Sequence, residues 1–447
     1  MNPDQSKHSK MPFNLPLKEV FIFCLPLIAG QLGQMMFGIG DILVAGRYSN
    51  TVVSAMGIGV GIFAPFLMVG LGITFAVSPL TAKLKGEGKP DGGILFNALV
   101  VSTMIGIILF LGLLAMTYFL TFFDLVESIE SPVKTYLRWT AISIFPLLYF
   151  QAYKEYLQGH GATYFSNGTI LFFNISNIGI NAILMFGLGP IPELGIKGAA
   201  ISTVINRFGM ALVLGVFTHR KFKTILKMNK AEIKEIISLG LPIGVGTLTE
   251  ILVFSTVTVL IGKMTVLASA SHNIVLNLAS FTFMVPLAIS SAASVFVAEK
   301  LGKKDLAGLT RYSLASLTLS ILFMCCTAVL YFFIPEYLLR LATDNEEVIK
   351  YGAGLLVFVA FFQIPDGIQV TFWGILRGFG VTKTPMLLSL IANWAIGLPF
   401  GIYLVKNHSM EAAGLWAGLA LGLYLMSFGL AGVFLYHRKK LAEQFSH

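Results

Sequence analysis

The sequence predicts an all-α membrane protein in which twelve transmembrane helices form two parallel six-helix repeats. Three observations predict this. The 447 residues are 56% hydrophobic and only 12% charged, with a mean hydropathy of +0.80, whereas a soluble domain carries roughly 25% charged residues. The apolar residues gather in runs long enough to cross a bilayer as helices, which takes about 20 residues each. The second half of the chain repeats the first at a nearly constant spacing. The 45 glycines agree with this reading, because helices in lipid use small residues to bring their backbones together.

The N-terminal MNPDQSKHSK is polar and basic, and the apolar run after it is too long for a signal-peptide core and lacks a small-residue cleavage site. It is expected to stay attached as the first span. Spans are expected at 20–45, 52–79, 94–120, 133–157, 164–188, 195–218, 236–262, 270–298, 312–335, 349–376, 384–405 and 412–436. GPIPEL at 189–194 reads as a tight turn, and the basic stretch HRKFKTILKMNKAEIKE at 219–235 divides the chain nearly in half. The expected organisation is therefore an N-lobe at 1–218, a basic cytoplasmic linker at 219–235 and a C-lobe at 236–447. Cys24, Cys325 and Cys326 sit in apolar runs and read as core packing, with no disulfide framework or zinc spacing.

Lysine and arginine concentrate on one side of this layout: Lys83, Lys85, Lys89, the 219–235 stretch, Lys300, Lys303, Lys304, Arg311 and Arg438 to Lys440 all fall on the side of the N-terminus. Cytoplasmic loops carry such an excess, so both termini are expected in the cytoplasm and the protein in the inner (plasma) membrane. This bias and anionic headgroups account for the net charge of +9. No nucleic-acid partner is needed to explain it.

One constant shift lays KEVFIFCLPLIAG (Lys18 to Gly30) on KEIISLGLPIGVG (Lys234 to Gly246) without a gap, and pairs Gly46 with Gly262 and Gly86 with Gly302. At a slightly longer shift, Pro146 meets Pro365, LQGHG (Leu157 to Gly161) meets LRGFG (Leu376 to Gly380), and Asn174 meets Asn393. Six spans is an even number, so both halves enter from the same side and are parallel repeats. That architecture places a substrate path between them.

Few ionisable residues lie within the spans: Asp41, Lys154, Glu155, Arg207, Glu250 and Asp366. A charge at the bilayer centre costs at least about 2.5–3.5 kcal/mol, so each is a functional candidate. The three acids align with Val257, Gln34 and Leu147, so the shared scaffold does not require them. At 1.5 Å per residue, Glu250 and Asp366 lie at neighbouring depths in the middle third, about 12 and about 16 residues from the outer ends of their helices. Asp41 lies about one turn from the outer end of the first span, where a solvated carboxylate is the bland alternative. In FQIPDGIQ, Pro365 removes a backbone donor and Gly367 permits a bend, so a kink that frees carbonyl oxygens for a cation is expected beside Asp366. Lys154 and Glu155 read as snorkelling side chains, and Arg207 as either a counter-ion for an acid or a transport residue.

PLIAGQLGQMMFGIGDILVAG in the first span, LPIGVGTLTEILVF in the seventh, SHNIVLNLASFTFMVPLAISSA in the eighth and IPDGIQVTFWGILRGFGVTKTPM in the tenth carry a resemblance to the multidrug and toxic compound extrusion (MATE) family, in its NorM-like branch. Each motif is loose, but the ordered set is specific and covers nearly the whole chain. The resemblance implies a V-shaped pair of lobes and a secondary antiporter that exports organic cations against inward Na+ or H+, by alternating access. It implies that Asp41, Glu250 and Asp366 couple ions and line the substrate cavity, with Glu250 and Asp366 as metal ligands if Na+ is the coupling ion. It implies supporting polar roles for Gln34, Asn177, Asn181, Thr203, Asn273 and Asn277. Some members carry an aspartate where this chain has Asn181, which leaves one carboxylate in the N-lobe site. His272–Asn273 stands where HQ is common, and Phe296 where arginine is frequent. No enzyme activity and no cofactor beyond the coupling ion are implied, and the chain is expected to act as a monomer.

Three other readings compete. GIGD (Gly38 to Asp41) resembles the GxGD motif of intramembrane aspartyl proteases, but no acid in a preceding span supplies the second carboxylate that shares the proton. A lipid-linked precursor flippase would share the two-lobe design, with a more basic cavity; Lys154 and Arg207 keep it open. A passive channel would export without an opposing ion gradient.

Overall fold

Ser49 and Thr265 are partners under the repeat shift, and each opens a helix: Ser49 Oγ accepts the Thr51 backbone N–H at 3.2 Å and Thr265 Oγ1 that of Ala268 at 3.0 Å. A hydroxyl at this place satisfies a donor that the first turn leaves free. The repeat read from the sequence is thus present already in the caps. A computed structural model describes residues 14–123, 126–408 and 410–446. The basic tail before residue 14, with Lys7 and Lys10, lies outside the described residues.

In order, the helices are α1 (Asn14–Tyr48), α2 (Asn50–Thr74), α3 (Val77–Gly86), α4 (Gly92–Phe119), α5 (Glu127–Ile142), α6 (Ile144–Gly159), α7 (Thr163–Phe186), α8 (Gly195–Lys221), α9 (Lys230–Gly262), α10 (Val266–Gly302), α11 (Leu306–Phe333), α12 (Pro335–Arg340), α13 (Glu346–Gly378), α14 (Lys383–Ser389), α15 (Leu398–His408) and α16 (Glu411–Ser446). A π-helical stretch, Leu390–Gly397, joins α14 to α15. The described residues contain no strand. Among the described residues, eleven helical stretches are long and apolar enough to cross a membrane, counting α2 with α3 as one and α14 with α15 as another.

The twelfth expected span, 133–157, is built from α5 and α6, which meet at Ser143. Pro146 explains the break: it has no N–H to offer the Ile142 carbonyl four residues back, and its ring crowds that carbonyl. In the other repeat the matching residue, Pro365, leaves α13 unbroken from Glu346 to Gly378. There the orphaned carbonyl is that of Phe361, and the Tyr424 hydroxyl donates to it at 3.1 Å. The free carbonyls expected beside Asp366 are therefore corrected. Ser427 donates to the Pro365 carbonyl at 2.8 Å and Ser320 to that of Gly367 at 3.0 Å, so these oxygens are already occupied.

The chain forms two compact units: Ala29–Leu248, and the residues up to Ile28 together with Thr249–His447. In the first, Ile233 and Ile236 of α9 join a core with Leu95, Ala98 and Tyr156, and a second core gathers Phe63, Leu113, Leu137 and Leu148. In the other, Val20 and Cys24 of α1 pack with Ala288, Ile289 and Ala315, while Trp416 lies fully buried among Val257, Leu356 and Phe362. Cys325 and Cys326 depart from the expected core packing. Cys326 is exposed and Cys325 partly so, both on α11.

Both units use one packing scheme. α6 lies against α3, α4 and α8, and α13 against α10, α11 and α16; α7 pairs with α8 as α15 pairs with α16. One close approach is reproduced to the residue. A Cβ on Gly159 would come within 2.8 Å of the Ser78 carbonyl, and one on Gly378 within 2.8 Å of the Ser294 carbonyl. Ser78 and Ser294 are themselves partners under the repeat shift. Just beyond, Gly161 and Gly380 take positive φ of 82° and 78°, a conformation that favours glycine. The sequence LxGxG is thus one helix-ending device used twice.

Candidate functional site

In the unit that contains Thr249–His447, Glu250 sits on α9 and Asp366 on α13. The side chain between them is Gln369, fully buried one turn after Asp366. Its Nε2 donates to Glu250 Oε1 at 2.9 Å and to Asp366 Oδ1 at 3.2 Å. One amide thus holds two carboxylates together. Asp366 is 5% exposed and Glu250 is half-buried. Gln369 Oε1 is buried without a hydrogen-bond partner, and such an atom normally costs about 1–3 kcal/mol. The cluster is therefore rich in oxygen acceptors around one amide donor, the chemistry that suits a proton or a hard cation.

Neighbouring residues fix this cluster. Gly367 brings α13 close to α11, where a Cβ would come within 2.6 Å of Met324 Cγ. Trp394, in the π-helical stretch, donates to the Thr249 carbonyl at 3.0 Å, next to Glu250. Gln363, one turn before Asp366, donates to Thr282 Oγ1 at 2.8 Å.

In the unit of Ala29–Leu248, Asp41 is 8% exposed, so the solvated reading gives way to burial. Asn181 Nδ2 donates to Asp41 Oδ1 at 2.7 Å. Asn177, one turn away on α7, donates to Ser202 Oγ at 3.2 Å, and Asn206 to the Ser202 carbonyl at 2.8 Å. The Oδ1 atoms of Asn177, Asn181 and Asn206 are buried without partners. α1 comes close to α7 because its facing residues are glycines: a Cβ on Gly40 would sit 2.9 Å from Ile178 Cγ1, and Asn174 donates to the Gly33 carbonyl. Arg207 donates to Ser143 Oγ at 2.6 Å and lies over the Phe63 ring at 5.1 Å.

The other candidates are placed as follows. Thr203 is buried and bonds to the Ala199 carbonyl at 3.2 Å. Gln34 is exposed, outside this network. Asn273 and Asn277 are exposed on α10, and their amides donate to the carbonyls of Ser269 and Asn273 at 2.9 Å. Beside them His272 faces inward, between Thr258 Oγ1 at 2.9 Å and the Trp416 indole N–H at 3.2 Å, so it makes no open contact surface. Phe296 is explained by its neighbours, with Phe23 at 5.0 Å and Tyr312 stacked at 4.8 Å. Lys154 and Glu155 are buried at 3% and 4% exposure, with Gln151 donating to Glu155 at 2.9 Å, which corrects the snorkelling reading.

Sequence reasoning missed Gln369, Ser202 and Asn206. Gln369 carried a signal, since Gln363 and Gln369 stand one turn either side of Asp366 and share its helix face. Ser202 and Asn206 are one turn apart on α8 and carried the same kind of signal.

The MatE family model matches residues 26–186 and again 242–403, and its two starting points are partners under the shift of the internal repeat. The chain belongs to the MatE family. A protein of Acinetobacter baylyi described as a probable multidrug resistance protein NorM is 28% identical over 442 residues, covering 97% of this chain and 98% of that one. The Proteus mirabilis multidrug resistance protein MdtK is 29% identical over 421 residues, covering 89% and 91%. Solved structures share the fold. A mutant of the Vibrio cholerae MATE transporter VcmN has a TM-score of 0.88 at 18% identity, with 96% of this chain and 98% of that one covered. A MOP superfamily transporter from Pyrococcus furiosus, described as having a binding pocket of reversed polarity, has a TM-score of 0.85 at 15% identity over 96% of each chain. The resemblance read from the motifs is thereby established, and the MatE chain is a NorM-like, multi-pass membrane protein.

Proposed function

We propose that the chain is a secondary multidrug efflux antiporter that exports organic cations in exchange for Na+ or H+. The observation that carries this reading is the pairing of Glu250 and Asp366 through Gln369 within apolar helices. Two carboxylates are costly in a membrane interior, and a proton, a Na+ ion or an organic cation relieves that cost. The Gln369 amide supplies hydrogen bonds to both acids, and its unpartnered Oε1 is available as a further cation ligand. Asp41, hydrogen-bonded by Asn181, forms a second anionic site with a single carboxylate.

Coupling requires that ion and drug favour different conformations, because a ligand shifts an equilibrium only by its differential affinity. Asn273, Asn277 and Phe281 offer an exposed face of α10, where aromatic and amide groups suit a cationic drug. The reading puts both termini in the cytoplasm and the protein in the plasma membrane, supported by the side on which its lysines and arginines fall, and takes the chain to act as a monomer.

The test is transport by purified protein in liposomes, with a fluorescent organic cation at equal concentration on both sides and either a Na+ or a pH gradient imposed. Accumulation driven by one gradient names the coupling ion. Failure of both gradients to drive accumulation would refute antiport with these ions. Glu250→Gln and Asp366→Asn are expected to abolish uphill movement at normal membrane expression, and retained transport in either would remove the acidic pair from the mechanism.

A further inference from the structure

A cavity of about 760 Å3 runs along α7 and α8, and none of its lining residues belongs to either acidic cluster. Its walls are Phe165 of α7 and Leu212, Val216 and Phe217 of α8. Leu212 is 69% exposed, and the Phe165 and Phe217 rings stack at 3.9 Å. Its polar end is formed by Arg220 and Lys221, the last two residues of α8, both exposed. Lys221 Nζ lies 5.5 Å from the centre of the Phe217 ring and 5.7 Å from that of Phe222. Among the described residues no carboxylate pairs with either cation.

We propose that this groove is a binding site for a phospholipid with an anionic headgroup, its phosphate and headgroup on Arg220 and Lys221 and an acyl chain along Phe165, Leu212 and Val216. Both walls belong to membrane-spanning helices, so an acyl chain is the neighbour that their apolar side chains meet. The guanidinium fork of arginine matches a phosphate in two bonds at once. The end of a helix presents unpaired carbonyls that repel anions, so any preference for an anionic lipid has to come from these two side chains. The pattern recurs in a smaller cavity of about 370 Å3, where Met104, Ile233 and Ile237 stand beside Lys230 and Lys234. The inference does not depend on the transport reading.

The experiment places a reporter in the groove with L212W, a substitution on an exposed wall. Full-length protein is put into nanodiscs of equal phosphatidylglycerol and phosphatidylcholine, one of the two brominated, and the quenching of the parent protein is subtracted. Preferential occupancy by phosphatidylglycerol is expected, about fivefold for each cation. It should vanish in L212W/R220Q/K221Q and persist in L212W/R220K, which keeps the charge and shows that the reporter protein folds. Equal quenching by both brominated lipids in L212W overturns the proposal, as does a preference that survives R220Q/K221Q. Loss of the preference on adding inorganic phosphate would also overturn it, since the cations would then hold a free anion instead of a lipid.

Discussion

At the scale of residues, the proposed coupling rests on one amide. Gln369 donates to Glu250 and Asp366 at once, and hydrogen bonds to charged groups contribute about 1.5–3 kcal/mol each. Gln369→Leu leaves two carboxylates facing each other without their shared donor. Efflux is expected to fall tenfold or more, since about 1.4 kcal/mol is a factor of ten, and drug extrusion at matched expression measures it. Asp41→Asn is expected to impair efflux less than Asp366→Asn does, because Asn181 still shares a hydrogen bond with an amide at that position; the same assay on both variants checks the ranking. The three acids were legible in the sequence because an ionisable residue in an apolar run stands out. Gln369, Ser202 and Asn206 did not stand out, because neutral polar residues are common in such helices and only their partners reveal a role. The buried Lys154 and Glu155 could not be told from snorkelling side chains, since the depth of a long side chain is set by neighbours distant in sequence.

At the scale of elements, proline acts differently in the two repeats and glycine acts alike. The repeat was visible as paired letters, but Pro146 and Pro365 are the same letter and differ in whether the helix runs through them. Tyr424 donates to the Phe361 carbonyl. Tyr424→Phe is expected to destabilise the protein by about 0.5–1.5 kcal/mol, the usual net worth of one hydrogen bond, seen as a lower midpoint of thermal unfolding in detergent. The paired glycines predict a larger effect. Gly159→Val and Gly378→Val each push a side chain against a serine carbonyl, and overpacking of this kind typically costs about 1–3 kcal/mol. The two variants should lower the unfolding midpoint by similar amounts, because the contact is the same one in each repeat. A large inequality between them would show that the packing is not equivalent.

At the scale of the molecule, fold class, repeat and family were legible because a bilayer imposes a strong composition and a duplication imposes a period. The allocation of helices to compact units was not, because it depends on contacts far apart along the chain. α1 changes unit after Ile28 and α9 after Leu248, at positions with no local mark. Ile233 and Ile236 of α9 lie in the same core as Leu95 and Tyr156. A chain stopped after Lys221 is therefore expected to lose the protease resistance of residues 29–221, and one stopped after Gly262 to keep it, as limited proteolysis in membranes would show. This division also sets an order of manufacture. The first body can close once the ribosome has delivered α9, whereas the other counts among its parts both the first turns of α1 and the whole of α16, and must hold the earlier piece in waiting until α16 is made.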